Sequence, residues 1–243
     1  MSVIYLVRHG QAAFGQDDYD SLSELGHRQG AELGGFWARS GVRLDALYVG
    51  PRRRHVQTAE ALRAGARAAG GELPAERPLP GLDEFPFQAI LTAAASRLEA
   101  EAAALRAELG GADPLRHRRS FDRLFQRAMT HWITGELAEH PLPETFAEFL
   151  ARAQGGLRAV MAEQGRGRTA AIVTSAGPMA AALQLGLGLA DAMVLKLCTV
   201  LANTALIELR YRGDELAAGS SPELTVISFN STPHLAPGLI SYR

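Results

Sequence analysis

Ser2-Val-Ile-Tyr-Leu-Val-Arg-His-Gly-Gln11 is the stretch on which the fold turns. Ser2 to Val7 is apolar, β-branched and aromatic, has the length of a strand, and hardly alternates. Such a run reads as a strand buried on both faces, as in a parallel sheet with helices above and below. It stops at a cation, an imidazole and a glycine. Open α/β sheets bind ligands outside the carboxyl ends of their strands, so Arg8, His9 and Gly10 stand where an oxyanion would be held. A neutral imidazole at His9 can attack phosphorus. Arg8 offers a planar fork of donors that matches phosphate, and Gly10 lets the backbone approach a ligand closely. Taken alone, these residues fit equally well a hydrogen-bonded turn histidine beside a surface arginine.

The same pattern recurs along the chain. Leu44 to Val49 reads as a second strand that breaks at Gly50-Pro51. The helix after it, with a buried face marked by Val56, Ala59, Leu62 and Ala66, carries Arg52, Arg53, Arg54 and His55 in its first turn. Cations are disfavoured at the positive end of a helix dipole, so this cluster makes sense if an anion compensates it. Thr169 to Thr174 reads as a third buried strand, running into Ser175-Ala-Gly-Pro178 and a helix from Met179. A strand end meeting a helix N-terminus is a second natural oxyanion cradle. Asn203 to Tyr211 and Leu224 to Phe229 read as late strands.

Between these lie mostly helices. Ser21 and Glu24 form a capping-box pattern ahead of a stripe of Leu22, Leu25, Gln29, Leu33, Phe36 and Trp37. Leu82-Asp-Glu-Phe-Pro-Phe87 puts two carboxylates beside aromatics, a setting that raises a carboxyl pKa and suits acid/base work at Glu84. From Ala89 to about Gln164 the pattern is almost wholly helical: Leu91, Leu98 and Leu105 recur every seventh residue. Phe121, Leu124, Phe125, Ala128 and Trp132 form another stripe, and Thr145 with Glu148 a second capping box. The Arg116-His-Arg-Arg119 run reads as a solvated loop sooner than as a contact with an anionic substrate. The first two of these helices read as an insert, a cap over residues 88–143 lying between Glu84 and Glu144 within one domain over 1–243.

Composition sets the bounds. The chain has 243 residues, 47% of them hydrophobic, and a net charge of -1. That is enough for a sizeable core and gives no global pull toward nucleic acid or an anionic membrane. The single cysteine, Cys198, allows no internal disulfide, and no Cys/His spacing points to a metal site. The apolar stretch from Met179 to Leu201 carries Asp191 and Lys196 and reads as a core helix and its exit, not a membrane span. The expectation is a cytoplasmic protein without signal peptide, cofactor or metal; a homodimer stays open.

In order and spacing these stations resemble the histidine phosphatase superfamily, the phosphoglycerate mutase-like family. Leu6-Val-Arg-His-Gly-Gln11 matches its strand-ending signature. Leu22-Ser-Glu-Leu-Gly-His-Arg-Gln29, Gly50-Pro-Arg-Arg-Arg-His-Val-Gln-Thr-Ala59, Leu82-Asp-Glu84, Glu144-Thr-Phe-Ala-Glu-Phe149 and Asn203-Thr-Ala-Leu-Ile-Glu-Leu209 match its later stations. The resemblance implies a three-layer α/β/α sandwich with a mostly parallel central sheet. It implies His9 as the phosphorylated nucleophile, Glu84 as acid/base, and Arg8, Arg54, Gln11, Ser175 and Gly177 as phosphate-binding. The implied partner is a small phosphorylated substrate or inorganic phosphate. One departure stands out. Where the family ends its third strand in Thr/Ser-His-Gly-Gly, this chain has Thr174-Ser-Ala-Gly177, so its second catalytic histidine is replaced by Ser175. Losing one preorganised donor costs on the order of 10²–10³ in rate. The resemblance therefore implies a weakened phosphatase. The alternatives are an inactive phosphate-binding relative and a mutase-type phosphotransferase. His55 or His234 could supply the missing imidazole.

Overall fold

The computed structural model describes residues 1–13, 20–95, 97–99, 103, 107, 114–212 and 224–242. Two compact units emerge: residues 1–84 with 152–243, and residues 85–151.

The first unit is built on a six-stranded sheet. β1 (Ser2–Arg8), β2 (Ala46–Val49), β3 (Glu76–Pro78), β4 (Thr169–Thr174), β5 (Leu206–Tyr211) and β6 (Leu224–Ser231) lie in the order β3-β2-β4-β1-β5-β6. β3, β2, β4 and β1 run parallel, and β5 is antiparallel to both β1 and β6. β1 is thus a central strand, paired with β4 on one side and β5 on the other, as its unbroken apolar run requires. β3 was not foreseen, because it lies in a proline-rich segment. As an edge strand it tolerates Pro78.

Side chains alternate across the sheet. Val7, Val49, Val173 and Leu206 fall in one register row. They pack with Leu33 and Trp37 of α1 (Glu24–Arg39) and Leu62 and Ala66 of α2 (Arg53–Ala68). Ile4, Leu6, Ile172 and Ile207 point the other way and are equally buried, so helices cover both faces in a three-layer α/β/α arrangement. α1 and α2 touch backbone to backbone: a Cβ on Gly34 would lie 1.9 Å from the Leu62 carbonyl oxygen, and one on Gly65 1.9 Å from that of Ala31.

Some boundaries differ from expectation. The cap of α1 is Ser23, not Ser21. Its hydroxyl accepts from Gly26 N at 3.1 Å and donates to Gln11 Oε1 at 2.8 Å, while the Ser21 carbonyl pairs with Ala13 N. Val56 is exposed, and Thr58 takes the inward position instead. The helix expected from Met179 starts at Ala176, giving α6 (Ala176–Leu187), with Pro178 inside its first turn. Gly188, at φ 64°, ends it before α7 (Asp191–Val200).

The second unit contains α3 (Phe87–Ala94), α4 (Pro114–Ile133) and the start of α5 (Phe146–Gln164). Phe85, Trp132, Phe146 and Phe149 form its aromatic centre; Trp132 meets Phe146 edge-on at 5.2 Å and Phe85 meets Phe149 edge-on at 5.7 Å. The expected capping box is present: Glu148 Oε2 accepts from Thr145 N at 2.7 Å, and Thr145 Oγ1 accepts from Glu148 N at 3.3 Å. Residues 116–119 belong to α4 rather than a loop. An anion contact by their side chains, and the place of Leu105 in the seven-residue repeat, lie outside the described residues.

Candidate active site

β1 delivers His9 to the carboxyl end of the sheet. The backbone there is tied on every side. His9 N donates to Thr174 O at 2.8 Å, and its carbonyl accepts from Asn203 Nδ2 at 3.2 Å. Thr204 N donates to Arg8 O at 3.1 Å. To do so Thr204 sits at φ 54°, a left-handed conformation that costs a β-branched residue of order 1–3 kcal/mol. Gly10 N donates to Thr58 Oγ1 at 3.0 Å, and Thr58 donates in turn to Arg54 O at 2.6 Å. Packing alone requires a glycine at position 10, since a Cβ there would lie 2.5 Å from the Gly26 carbonyl oxygen of α1.

The imidazole of His9 is buried, with Nδ1 2.7 Å from the Gly10 carbonyl oxygen. A carbonyl can only accept, so Nδ1 carries the hydrogen and Nε2 keeps its lone pair. Burial above all, then the charges of Arg54 and Arg8 and the neighbouring His55, hold the His9 pKa well below the ordinary histidine range. The ring is neutral at physiological pH.

α2 and the start of α6 bring three more groups to it. Arg54 is buried; its Nη1 donates to Asp20 Oδ1 at 2.8 Å and its Nη2 to Ser175 Oγ at 3.3 Å. His55 is wholly buried, its ring centre 5.7 Å from that of His9 and its Nε2 2.7 Å from Ser175 Oγ. Of the two candidate histidines, then, His55 lies beside His9. His234 instead meets Thr204 Oγ1 at 3.0 Å and sits by Phe36. The anion demanded by the basic first turn of α2 is partly the chain's own: Asp20 Oδ2 also accepts from Arg53 N at 2.9 Å.

Glu84 reaches the same helix start, Oε2 lying 3.4 Å from Gly177 N. Its loop is pinned: Asp83 Oδ1 accepts from Glu84 N at 2.7 Å and from Arg52 Nε at 2.5 Å, and Arg152 Nη1 donates to the Gly81 and Asp83 carbonyls at 3.0 Å each. The thiol of Cys198 feels both ends of the site. Burial and then Glu84 push its pKa up, while Arg8 draws it down. Arg8 itself donates through Nη1 to the carbonyls of Leu201 and, at 3.0 Å, Tyr242. Gln11 accepts from Ser23 Oγ at its side-chain oxygen, and its backbone N donates to Gln29 Oε1 at 2.9 Å. Gln29 Nε2 continues to Leu239 O at 2.7 Å and Ser241 Oγ at 2.9 Å, and Asn203 N donates to Ser241 O at 2.7 Å.

The structure thus joins Arg54, His55, Ser175 and His9 directly and pairs Glu84 with Gly177. Asp20, Thr58 and Thr204 were not singled out in the sequence, and Gln29 was read there only as part of a buried stripe and a motif. Only Asp20 left a signal, through the missing counter-charge of α2. Among the described residues no group of three His, Cys, Asp or Glu side chains could hold a metal ion, and no helix is long and apolar enough to cross a membrane.

The family model of the histidine phosphatase superfamily (branch 1) matches residues 4–130 and 116–220. The chain belongs to this family. No curated protein matches it significantly. Among solved histidine-phosphatase-like structures, the phosphoserine phosphatase of Entamoeba histolytica in complex with 3-phosphoglyceric acid superposes with a TM-score of 0.60 at 18% identity, covering 97% of this chain and 100% of its own. A mycobacterial glucosyl-3-phosphoglycerate phosphatase with inorganic phosphate gives 0.56 at 19% identity, covering 96% and 99%. Mycobacterial hydrolase 2 gives 0.63 at 18% identity, covering 98% and 94%. At these identities the histidine phosphatase fold is what they share.

Proposed function

We propose that the protein hydrolyses small phosphomonoesters through a phosphohistidine at His9. The observation that carries this reading is a buried, neutral imidazole with its Nε2 lone pair unspent, flanked by Arg54 and the Ser175 hydroxyl. Nε2 attacks phosphorus in line; the P–N bond forms as the ester P–O bond breaks. Arg54 and Arg8 neutralise the equatorial oxygens, where charge is spread in the transition state. Ser175, the amide of Gly177 and Gln11 add hydrogen bonds. Glu84 gives its proton to the leaving alkoxide, then takes one from the water that attacks the phosphoenzyme, and His9 is restored.

The test is a quench of the protein with a labelled aryl phosphate. Acid-labile, base-stable label is expected on wild type and none on His9→Ala; label persisting on His9→Ala overturns the assignment. Ser175 favours a second reading, a phosphate-binding protein with little turnover. Tight phosphate binding without hydrolysis across sugar phosphates, nucleotides and phosphoamino acids would select it.

A further inference from the structure

Glu84 follows the short 3-10 turn Pro80–Leu82 and so sits on a loop. A carboxyl that must meet a departing oxygen has to be held to within about 0.5 Å, which a loop by itself achieves less well than a helix or strand. This loop is tied down through its backbone. The three carbonyls that precede Glu84 belong to no sheet ladder or α-helix, yet each is captured by a side chain from another element. Thr174 Oγ1, at the end of β4, donates to Leu82 O at 2.6 Å. Arg152 Nη1, on α5, donates to Gly81 O and to Asp83 O at 3.0 Å each.

A pair of glycines brings α5 close enough for this. A Cβ on Gly81 would lie 3.3 Å from Gly156 Cα, and one on Gly156 would lie 3.3 Å from the Gly81 carbonyl carbon. Arg152 and Gly156 stand one turn apart on α5, and both belong to the first unit with the loop. The guanidinium is planar and rigid. One nitrogen spanning the carbonyls on either side of Leu82 therefore fixes the bend from which Glu84 projects toward Gly177 N.

The worth of a well-placed acid depends on what leaves. An aryl oxide departs as a stable anion, whereas an alkoxide needs its proton as the P–O bond breaks. A misplacement of about 1 Å can cost about a hundredfold, and that loss falls on the ester that needs the proton.

We propose that Arg152 positions Glu84 through the Gly81 and Asp83 carbonyls, and that this hold opens the site to alkyl phosphomonoesters, whose leaving groups must be protonated as they depart. Arg152 acts through the loop and is a positioning residue. This rests on the reading of His9 as nucleophile and Glu84 as acid.

The test compares kcat/KM, which reports the steps up to breakage of the ester bond, for nitrophenyl phosphate and for a panel of unbranched alkyl phosphates. Arg152→Ala should lower the alkyl values about tenfold to a hundredfold. The aryl value should fall by no more than about threefold, since its leaving group needs little proton transfer. In a Glu84→Gln background the same change should remove no more than about a further twofold from the alkyl values, because the two side chains act as one unit. A merely structural arginine would lower the urea midpoint and slow both kinds of ester alike. Equal losses on the two, wild-type alkyl turnover in a folded Arg152→Ala, or losses that multiply in the double variant would each overturn the proposal and leave the phosphatase reading in place. So would a wild type that cleaves the aryl ester and none of the alkyl ones. If Arg152→Ala does not fold, Arg152→Met replaces it, similar in length and without a donor. A wild type that cleaves neither kind of ester would remove the phosphatase reading and this proposal together.

Discussion

Arg54 already has company: a carboxylate that is not a substrate. Asp20 holds its Nη1, and a phosphate bound as proposed must share or displace that contact. Asp20→Asn keeps the acceptor for Arg53 N and removes the competing charge. Phosphate affinity should rise a few-fold, a modest gain because the carboxylate is partly solvated; calorimetry showing weaker binding would mean that Asp20 organises Arg54 rather than competes for it. At this scale the sequence was informative about kinds of residue and poor about orientation. The run of three arginines and a histidine said that an anion was wanted at α2. It did not say that His55 would turn inward while Val56 turned out. That depends on helix phase, fixed by Thr58 reaching Gly10, which a local pattern does not contain.

At the scale of elements, the strands were the most legible. β1 and β4 announce themselves because strands buried on both faces must be apolar throughout. β3 did not, since three residues ending in proline carry no pattern. The contact between α1 and α2 was also hidden: glycines inside a helix read as weakness, whereas here Gly34 and Gly65 let two backbones touch. Gly34→Ala should therefore destabilise the fold by about 2 kcal/mol or more through overpacking, despite the higher helix propensity of alanine. Urea denaturation checks this, and an unchanged midpoint would show that the pair of helices can part cheaply. Thr145→Ala, which removes the reciprocal cap of α5, should cost about 1 kcal/mol by the same measurement.

For the molecule as a whole, acid is the weak direction. Burial depresses the pKa of His9, His55 and His234, the last to about 4. Below an ordinary histidine pKa of about 6.5 the unfolded chain binds protons that the folded one refuses, so stability falls as pH drops from there toward the folded values. For His234 the loss is roughly 3 kcal/mol by pH 4. Melting temperature should fall steadily on acidification, and His234→Gln should flatten the slope. A variant curve parallel to wild type would show that His234 is not the group responsible.

Tyr242, Ser241 and Leu239 meet the guanidinium of Arg8, the amide of Asn203 and the side chain of Gln29. Loss of residues 239–242 would therefore slacken the support around His9 while leaving the apolar interior whole. The anion site proposed around His9 would fail before the shape did.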